Sequence, residues 1–437
     1  MTFANKSFSI FKRDFFLFLL NVLTSIVIAR VLGPELLGIW VIIMLIPGYA
    51  EAFGRTKFDL AAVYFIGKKK YTENEILYHL NIIAIVTGVS ITSLIFFFRG
   101  NINQLLFGGD PNNLIFIYAI LPIITLNFLY LNYSYLLISR EDVKSFNNMI
   151  VIKAVIGSGG ASLLLLFFDF GLWSVILTSV FSVLISLIYA RWCFVKTNID
   201  TKTVFKLNTG LLKEFFNYSY KLYVGGLISF LNTYLMKSLL SIYLSTLKVA
   251  FFSMAQDRAT LLDKIPNAIN TLLYPRISNS NQSDSSTSTI KAFKIILILS
   301  TLSSVILAIL IKPLVLIMYG EPYLPMVLPF LIILPGILFN GATSVFTSYF
   351  TGSGRADLVM KLSIIPLILQ IFLGFILIRN FDIIGAAVTF TFSMILFGLL
   401  QIFFFLKLSK ISFKELITVS SEYSYIYNFF KLKILKK

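Results

Sequence analysis

The chain has 437 residues, of which 57% are hydrophobic and 13% are charged, and its formal net charge is +17. Soluble domains carry roughly 45–50% apolar and about 25% charged residues, so this composition excludes a water-soluble fold. The single cysteine, Cys193, excludes an intramolecular disulfide, and the single histidine, His79, argues against zinc ligation and histidine catalysis, so we expect no metal and no cofactor.

Apolar windows of about 20 residues, the length that crosses a hydrocarbon core, follow one another along the chain. They predict an all-α, polytopic membrane protein with about twelve transmembrane helices. The predicted helices are 14–31, 37–54, 79–98, 114–138, 148–168, 172–190, 218–244, 249–275, 293–311, 326–350, 359–379 and 384–406. The first apolar stretch continues into Arg30 without a small-residue cleavage site, so we expect no cleaved signal peptide.

The basic residues are distributed unevenly over the two sides of these helices. An even number of spans places both termini on one side, and most of the 37 Lys and Arg residues fall in loops on that side. Positive loops normally stay in the cytoplasm, so we predict cytoplasmic termini. The positive charge then reports orientation and attraction to anionic membrane lipids, and nucleic acid is not an expected partner.

The longest loop on the cytoplasmic side falls near the middle of the chain. The predicted organisation is an N-terminal six-helix lobe at 1–195, a cytoplasmic linker at 196–217, a C-terminal six-helix lobe at 218–407 and a basic cytoplasmic tail at 408–437.

The two predicted lobes share landmarks at a nearly constant separation of 212 or 213 residues. These landmarks are Leu32 with Leu244, Gly38 with Ala250, Phe107 with Tyr319, Leu121 with Leu334, and Phe168 with Phe381. A constant separation predicts two six-helix repeats of the same orientation. Such repeats are typical of alternating-access carriers, whose substrate site lies between the halves, so we expect a V-shaped bundle with a central cavity.

Polar residues recur every three or four positions along the eighth predicted helix, which places them on one helical face. The residues of this stripe are Ser253, Asp257, Thr260, Lys264, Asn267 and Thr271, and Arg258 and Asp263 flank it. Charges facing lipid cost several kcal/mol, so the stripe is expected to line the central cavity.

Further charges lie inside other predicted helices. Glu51 and Arg55 are one turn apart in the second helix, and Glu51 corresponds to Asp263 in the repeat. Lys153 and Lys237 add cations to the fifth and seventh helices, although each ammonium could instead extend to the lipid headgroups. An excess of cations predicts an anionic ligand such as a phosphate or pyrophosphate.

The candidate roles follow from charge. We predict that the substrate-binding residues are Arg55, Lys237, Arg258 and Lys264, and that the ion-coupling residues are Glu51, Asp257 and Asp263. For Asp257 and Arg258, a purely structural ion pair is the alternative interpretation.

Three groups of residues carry a family resemblance. They are 28–40 (IARVLGPELLGIW), 249–255 (VAFFSMA) followed by 273–275 (LYP), and 349–354 (YFTGSG) with 384–388 (IGAAV). In this order they resemble the bacterial oligosaccharide flippases, the Wzx-type polysaccharide exporters. The resemblance extends over essentially the whole chain.

The resemblance implies translocation of undecaprenyl-pyrophosphate-linked oligosaccharide repeat units across the bacterial inner membrane for O-antigen, capsule or exopolysaccharide synthesis. It implies alternating access coupled to a proton or a sodium ion, with a polysaccharide polymerase and chain-length proteins as candidate partners. The pair Thr24-Ser25, where the related lipid II flippases tend to carry an arginine, favours O-antigen or capsule units over peptidoglycan precursor. The family tends to place an acidic residue near Lys237, so this sequence departs from the family there.

Two other functions stay open. A multidrug or cation antiporter of the same superfamily would prefer acidic cavities, and the Lys and Arg excess within the helices argues against it. A membrane-embedded polysaccharide polymerase or glycosyltransferase would be expected to show a large external loop or an acidic catalytic motif, and neither is visible. We therefore expect a transporter and not an enzyme.

Overall fold

The chain folds into helices throughout the part that this computed structural model describes, which is residues 3–196, 206–278 and 281–417. All regular elements in those ranges are helical, which confirms the predicted all-α fold. The first half contains α1 (Phe3–Gly54), α2 (Phe58–Gly67), α3 (Glu73–Phe97), α4 (Arg99–Phe107), α5 (Leu114–Ile120), α6 (Pro122–Ser139), α7 (Val143–Ala154), a π-helical turn (Val155–Gly159), α8 (Gly160–Phe167) and α9 (Leu172–Lys196). The second half contains α10 (Thr209–Tyr243), α11 (Thr246–Ala259), α12 (Lys264–Ser278), α13 (Gln282–Met318), α14 (Val327–Gly352), α15 (Ala356–Ser409) and α16 (Phe413–Ile417). A 3₁₀ turn lies at Pro111–Asn113 in the first half, and two more lie at Thr260–Asp263 and Glu321–Met326 in the second.

Helix α1 contains two predicted transmembrane helices, 14–31 and 37–54, joined at a kink. Gly33 at the kink has φ 74° and ψ 172°, a conformation that costs little only without a Cβ atom. Pro34 follows and lacks the N–H that would continue the helical hydrogen bonding. The predicted break between the two helices is therefore present at Gly33. The predicted gap at 32–36 is shorter in the structure, because the helix continues close to Gly33 on both sides.

Helix α15 repeats this arrangement for the predicted helices 359–379 and 384–406. Its kink lies at Asp382, with φ 60° and ψ −140°, and the Oδ1 atom of Asp382 accepts a hydrogen bond from the Ile383 amide at 2.7 Å. An aspartate can stabilise such a conformation because its short side chain bonds the local backbone.

The predicted eighth helix, 249–275, is divided in the structure. Helix α11 ends at Ala259, a 3₁₀ turn spans Thr260–Asp263, and α12 begins at Lys264. Pro266 lies in the first turn of α12, where a proline is tolerated because the first helical amides lack intrahelical partners. The polar stripe therefore runs over two helices with a tightened turn between them.

Eight helices within the described residues are long and apolar enough to cross a membrane. Two of them, α1 and α15, each contain two predicted spans, and α10, α11 and α12 are not among the eight. The number of about twelve spans thus stays a prediction.

Large apolar side chains are strongly exposed on α3, α8, α12 and α13. Leu272, Phe97, Phe167 and Ile309 are 78%, 76%, 73% and 71% exposed. Soluble proteins rarely expose so much apolar surface. In a membrane, lipid surrounds such side chains, and the helices form all their backbone hydrogen bonds internally. The chain is a multi-pass membrane protein.

The described residues form two compact units. The first contains residues up to Phe230 together with Leu244–Ala250, and the second contains Leu231–Tyr243 and the residues from Phe251 onward. The core of the first unit includes Ile76, Leu80, Ile124, Phe128 and Phe194. The core of the second includes Phe293, Phe346, Phe350 and Phe405.

The predicted lobes at 1–195 and 218–407, with their linker and tail, stay predictions. Residues 197–205 of the predicted linker and 418–437 of the predicted basic tail lie outside the described residues.

Left-handed backbone conformations recur at corresponding positions of the two halves. The pairs are Gly108 (φ 63°) with Gly320 (φ 92°), Glu141 (φ 55°) with Gly354 (φ 76°), and Asp169 (φ 50°) with Asp382 (φ 60°). Their separations are 212 or 213 residues, the same as those of the sequence landmarks. Three shared positions with an uncommon positive φ support a common plan for the two halves.

Candidate functional site

Arg55 lies in the first unit, directly after the end of α1, and its guanidinium is buried between two carboxylates. Its Nη2 atom is 2.8 Å from Asp59 Oδ2, and its Nη1 atom is 3.7 Å from Glu51 Oε1. The guanidinium carbon also lies 5.3 Å from the centre of the Tyr135 ring. Arg55 is only 8% exposed and Asp59 only 1%, so this ion pair is largely withdrawn from solvent.

Glu51 extends this cluster to two further helices. Its Oε2 atom accepts a hydrogen bond from Asn127 Nδ2 at 3.0 Å, and Asn127 Oδ1 accepts one from Lys153 Nζ at 3.2 Å. Lys153 Nζ also lies 4.2 Å from the centre of the Tyr130 ring. Lys153 therefore contacts polar and aromatic groups of α6. We call Glu51, Arg55, Asp59, Asn127 and Lys153 the Arg55 network.

The formal charges of the Arg55 network balance, since two cations face two carboxylates. Charges inside apolar windows indicated Glu51, Arg55 and Lys153, whereas Asp59 and Asn127 were not predicted. Asp59 could have been found as a second carboxylate within four residues of Arg55, on the other side of the short break between α1 and α2. No sequence pattern identifies Asn127, because it meets Glu51 only through the packing of α6 on α1.

The second unit contains a comparable pair. Lys237 Nζ on α10 lies 2.7 Å from Asp257 Oδ1 on α11, and the Ser253 hydroxyl donates to Asp257 Oδ2 at 3.3 Å. The Lys237 side chain is 9% exposed and that of Asp257 is 54% exposed. The structure thus brings together Lys237, predicted to bind substrate, and Asp257, predicted to couple an ion.

Arg258 is separate from that pair. Its guanidinium lies 5.5 Å from the centre of the Tyr319 ring, and its buried Nε atom has no hydrogen-bond partner among the described residues. A buried donor without an acceptor is costly.

Lys264 and Asp263 lie at the junction of the 3₁₀ turn with α12. Lys264 is exposed, whereas Asp263 is half-buried beside Gly341, where an added Cβ would lie 3.7 Å from the carboxylate. Neither they nor Arg258 form an ion pair with any residue in the described ranges. Of the stripe residues, Asp257, Lys264, Asn267 and Thr271 are exposed and Ser253 is buried.

A network of neutral side chains, which no sequence pattern indicated, connects α10 with α15 near Lys237. The Gln370 side-chain amide, fully buried on α15, donates to Ser393 Oγ at 2.9 Å and to the Asn232 carbonyl at 3.1 Å. The Asn232 side chain donates to the Ser363 carbonyl at 3.0 Å. These bonds fix the middle of α10 against α15, close to the turn that carries Lys237.

The start of α10 is attached to the α2–α3 loop by a group we call the linker dock. Lys70 Nζ is 2.7 Å from both carboxylate oxygens of Glu214, and the Asn208 amide donates to His79 Nε2 at 2.9 Å. His79 Nδ1 in turn bonds the Glu75 carbonyl at 2.8 Å. Hydrogen bonding to Lys70 lowers the pKa of Glu214 below its ordinary value, and the same bond raises the pKa of Lys70.

No group of three or more His, Cys, Asp and Glu side chains converges as metal ligands would, within the ranges described above. The arrangement instead consists of ion pairs between helices of a multi-pass membrane protein. This is the kind of charge placement found along substrate and ion pathways of membrane transporters.

Solved transporter structures share this fold. A multidrug resistance transporter of the MATE family, in an inward-facing conformation, superposes with a TM-score of 0.74 at 16% identity and covers 93% of this chain and 96% of its own. The lipid II flippase MurJ, in an inward closed conformation, gives a TM-score of 0.74 at 17% identity, with 91% of this chain and 89% of its own covered.

Sequence comparison defines the family. Residues 27–328, more than half of the chain, match the family described as polysaccharide biosynthesis proteins. A putative O-antigen transporter of Shigella flexneri is 24% identical over 381 residues, which cover 85% of this chain and 90% of that relative. The chain belongs to the polysaccharide biosynthesis protein family, and the predicted resemblance to oligosaccharide exporters is confirmed.

Proposed function

We propose that this protein moves undecaprenyl-pyrophosphate-linked oligosaccharide repeat units from the cytoplasmic to the periplasmic leaflet of a bacterial inner membrane. Family membership carries this proposal, and the similarity to a putative O-antigen transporter supports the choice of cargo. The fold shared with a lipid II flippase supports a lipid-linked substrate. Transport rather than catalysis is the role we assign.

The proposed topology places both termini in the cytoplasm, because most basic loops lie on that side. Alkaline phosphatase fused after Gly109 should be active, and the same enzyme fused after Lys70 should be inactive. The reverse pattern would invert the topology.

The binding site that we propose uses Arg55, Lys237, Arg258 and Lys264 for the pyrophosphate. Arg258 offers a buried nitrogen that has no hydrogen-bond partner among the described residues, whereas Lys237 and Arg55 already have carboxylate partners. A pyrophosphate that binds Lys237 must therefore replace Asp257. The released carboxylate of Asp257 can then take up a proton or a sodium ion. Binding of the pyrophosphate and binding of the coupling ion are thereby linked through Lys237.

Because pyrophosphate and Asp257 compete for Lys237, we assign the ion-coupling role in the second unit to Asp257. Glu51 has the corresponding role in the Arg55 network, and Asp263 is a third candidate. The prenyl tail stays in lipid, since a long apolar chain gains nothing from entering a charged site. Cargo and ion each bind the two conformations with different affinity, because otherwise neither could shift the equilibrium between them.

Export in a strain that lacks the gene tests the proposal. The Arg258→Gln and Lys264→Gln double variant should abolish surface polysaccharide at unchanged protein abundance, and Arg258→Lys should retain part of the function. Lys361→Gln is the matched control, because Lys361 forms an exposed helical pair with Asp357 on α15. Wild-type export by the double variant would show that the pyrophosphate binds elsewhere.

The lipid-linked precursor provides a second readout. A defective flippase leaves the completed repeat unit on its carrier in the cytoplasmic leaflet, whereas a defective polymerase leaves single units on the cell surface. Accumulation of surface-exposed single units in the null strain would favour the polymerase alternative. Export of cationic dyes, unaffected by loss of the polysaccharide genes, would favour a multidrug antiporter.

A further inference from the structure

A cleft of about 310 Å³ lies in the first unit between α3, α6 and α9. This volume is at the lower end of the range for small-ligand sites, which is roughly 300–1,000 Å³. The cleft contains none of the residues assigned to transport above. Its walls combine polar side chains at one end with aliphatic side chains farther along the same helices.

The polar end lies near helix termini. Asn74 is in the first turn of α3, and Arg191 is five residues before the end of α9. Ile82 and Ile85 lie farther along α3 and complete the lining together with Leu129 of α6. The rise of an α-helix separates Asn74 from Ile85 by roughly 16 Å. The cleft therefore changes from polar to apolar along the membrane-crossing direction of α3.

Arg191 lines this cleft without an ion-pair partner among the described residues. The two nearby carboxylates on α3 are engaged elsewhere, because Glu73 pairs with Arg140 at 2.6 Å and Glu75 accepts from the Asn208 side chain at 3.0 Å. Within the part of the chain described here, no carboxylate lies at ion-pair distance from Arg191. The site consequently favours an anion at its polar end.

Aromatic side chains mark the same end as a membrane surface. Trp192 follows Arg191, is 55% exposed, and lies 6.0 Å from the Tyr189 ring, measured between ring centres. Tryptophan and tyrosine concentrate at the headgroup level of bilayers. The cation of Arg191 thus lies at the depth where lipid phosphates are found.

We propose that this cleft binds an anionic phospholipid of the surrounding leaflet. The lipid phosphate contacts Arg191 and the amide of Asn74, and one acyl chain lies along Ile82, Ile85 and Leu129. The volume admits a phosphate headgroup with its first methylenes and excludes an oligosaccharide, which separates this site from the transported cargo. The proposal is independent of the proposed function.

Lipid binding to the purified protein tests this assignment. Native mass spectrometry of the detergent-solubilised chain, titrated with phosphatidylglycerol or phosphatidylethanolamine, gives the affinity for each lipid. We expect phosphatidylglycerol to bind roughly tenfold more tightly, because both lipids offer the phosphate but only phosphatidylethanolamine adds an ammonium that Arg191 repels. Arg191→Gln should remove this preference and Arg191→Lys should keep most of it.

Lys196→Gln is the matched control, since Lys196 is a neighbouring cation that contacts the Trp192 ring at 5.1 Å and does not line the cleft. It should keep the full preference. Ile85→Trp fills the apolar end at a position that is already 46% exposed, and it should weaken binding of both lipids.

Three results would overturn the proposal. They are an unchanged lipid preference in Arg191→Gln, an equal loss in Lys196→Gln, and full affinity in Ile85→Trp. Displacement of phosphatidylglycerol by an equimolar amount of undecaprenyl phosphate would identify the cargo carrier as the occupant and would also overturn it. If Arg191→Gln fails to fold, Arg191→Lys and Ile85→Trp still decide the outcome.

Discussion

Lys237 on α10 and Asp257 on α11 form an ion pair, with Nζ and Oδ1 at 2.7 Å, although the lysine is buried and the aspartate is half-exposed. This asymmetry means that Lys237 depends on Asp257 more than Asp257 depends on Lys237. Removal of the carboxylate leaves a buried ammonium without its counter-charge, whereas removal of the ammonium leaves a carboxylate that a solvent cation can reach.

Asp257→Asn should therefore destabilise the protein more than Lys237→Gln does. We expect a loss of about 1–2 kcal/mol for Asp257→Asn, between the values for surface and buried pairs. Thermal unfolding in detergent measures both variants, and Asp357→Asn, which breaks an exposed pair with Lys361, is the control. Equal losses for the two variants would contradict the asymmetry.

Gly38 on α1 approaches the backbone of Thr246 so closely that an added Cβ would overlap the Thr246 carbonyl oxygen. Gly38→Ala should force α1 and the start of α11 apart and lower the midpoint of thermal unfolding by several degrees. Gly225→Ala is the control, because Gly225 is also helical and has no atom within 4 Å of an added Cβ. A stable Gly38→Ala variant would show that these segments shift without cost.

The π-helical turn at Val155–Gly159 offers a test of helix packing. The hydroxyl of Thr24 on α1 donates to the Ser158 carbonyl at 3.1 Å and accepts from the Ser162 hydroxyl at 3.2 Å. Thr24→Val removes both bonds and should cost about 1 kcal/mol. Thr87→Val is the control, since the one hydrogen bond of the Thr87 hydroxyl to a described residue goes to the Ile83 carbonyl of its own helix. Hydrogen exchange at 155–162 should increase in the first variant alone.

The ion pair between Lys70 and Glu214 in the linker dock predicts that exchanging both charges is tolerated, whereas changing one charge alone is not. Lys70→Glu places two carboxylates together and should increase hydrogen exchange at the start of α10, while the Lys70→Glu and Glu214→Lys double variant should restore protection. Lys361→Glu, at an exposed helical pair, should leave that segment unchanged. Failure of the double variant to restore protection would mean that Lys70 acts through another group.

His79 is expected to attach the same segment through its neutral ring. Nδ1 bonds the Glu75 carbonyl, so Nε2 carries the lone pair that accepts from the Asn208 amide. His79→Leu should leave that amide without an acceptor and expose 206–212 to limited proteolysis. Unchanged proteolysis would show that Glu75 and Lys70 suffice to retain the segment.

The sequence predicted the helical class and several breaks, because apolar length and residues such as Gly33 and Pro34 act locally. It also located Glu51, Arg55, Lys237 and Asp257, since charges inside apolar windows are conspicuous. The pairing of Lys237 with Asp257, and the bridge that Asn127 makes between Glu51 and Lys153, depend on how separate helices pack. Such contacts leave no periodic pattern along the chain.

The two halves share positive-φ positions even where the residue differs. Glu141 and Gly354 adopt the same left-handed conformation at corresponding positions, although only glycine does so without steric cost. Positive φ is thus kept at corresponding positions whose side chains differ, so comparison of residues alone understates the likeness of the two halves. Glu141 therefore carries a backbone strain that a substitution by glycine would relieve.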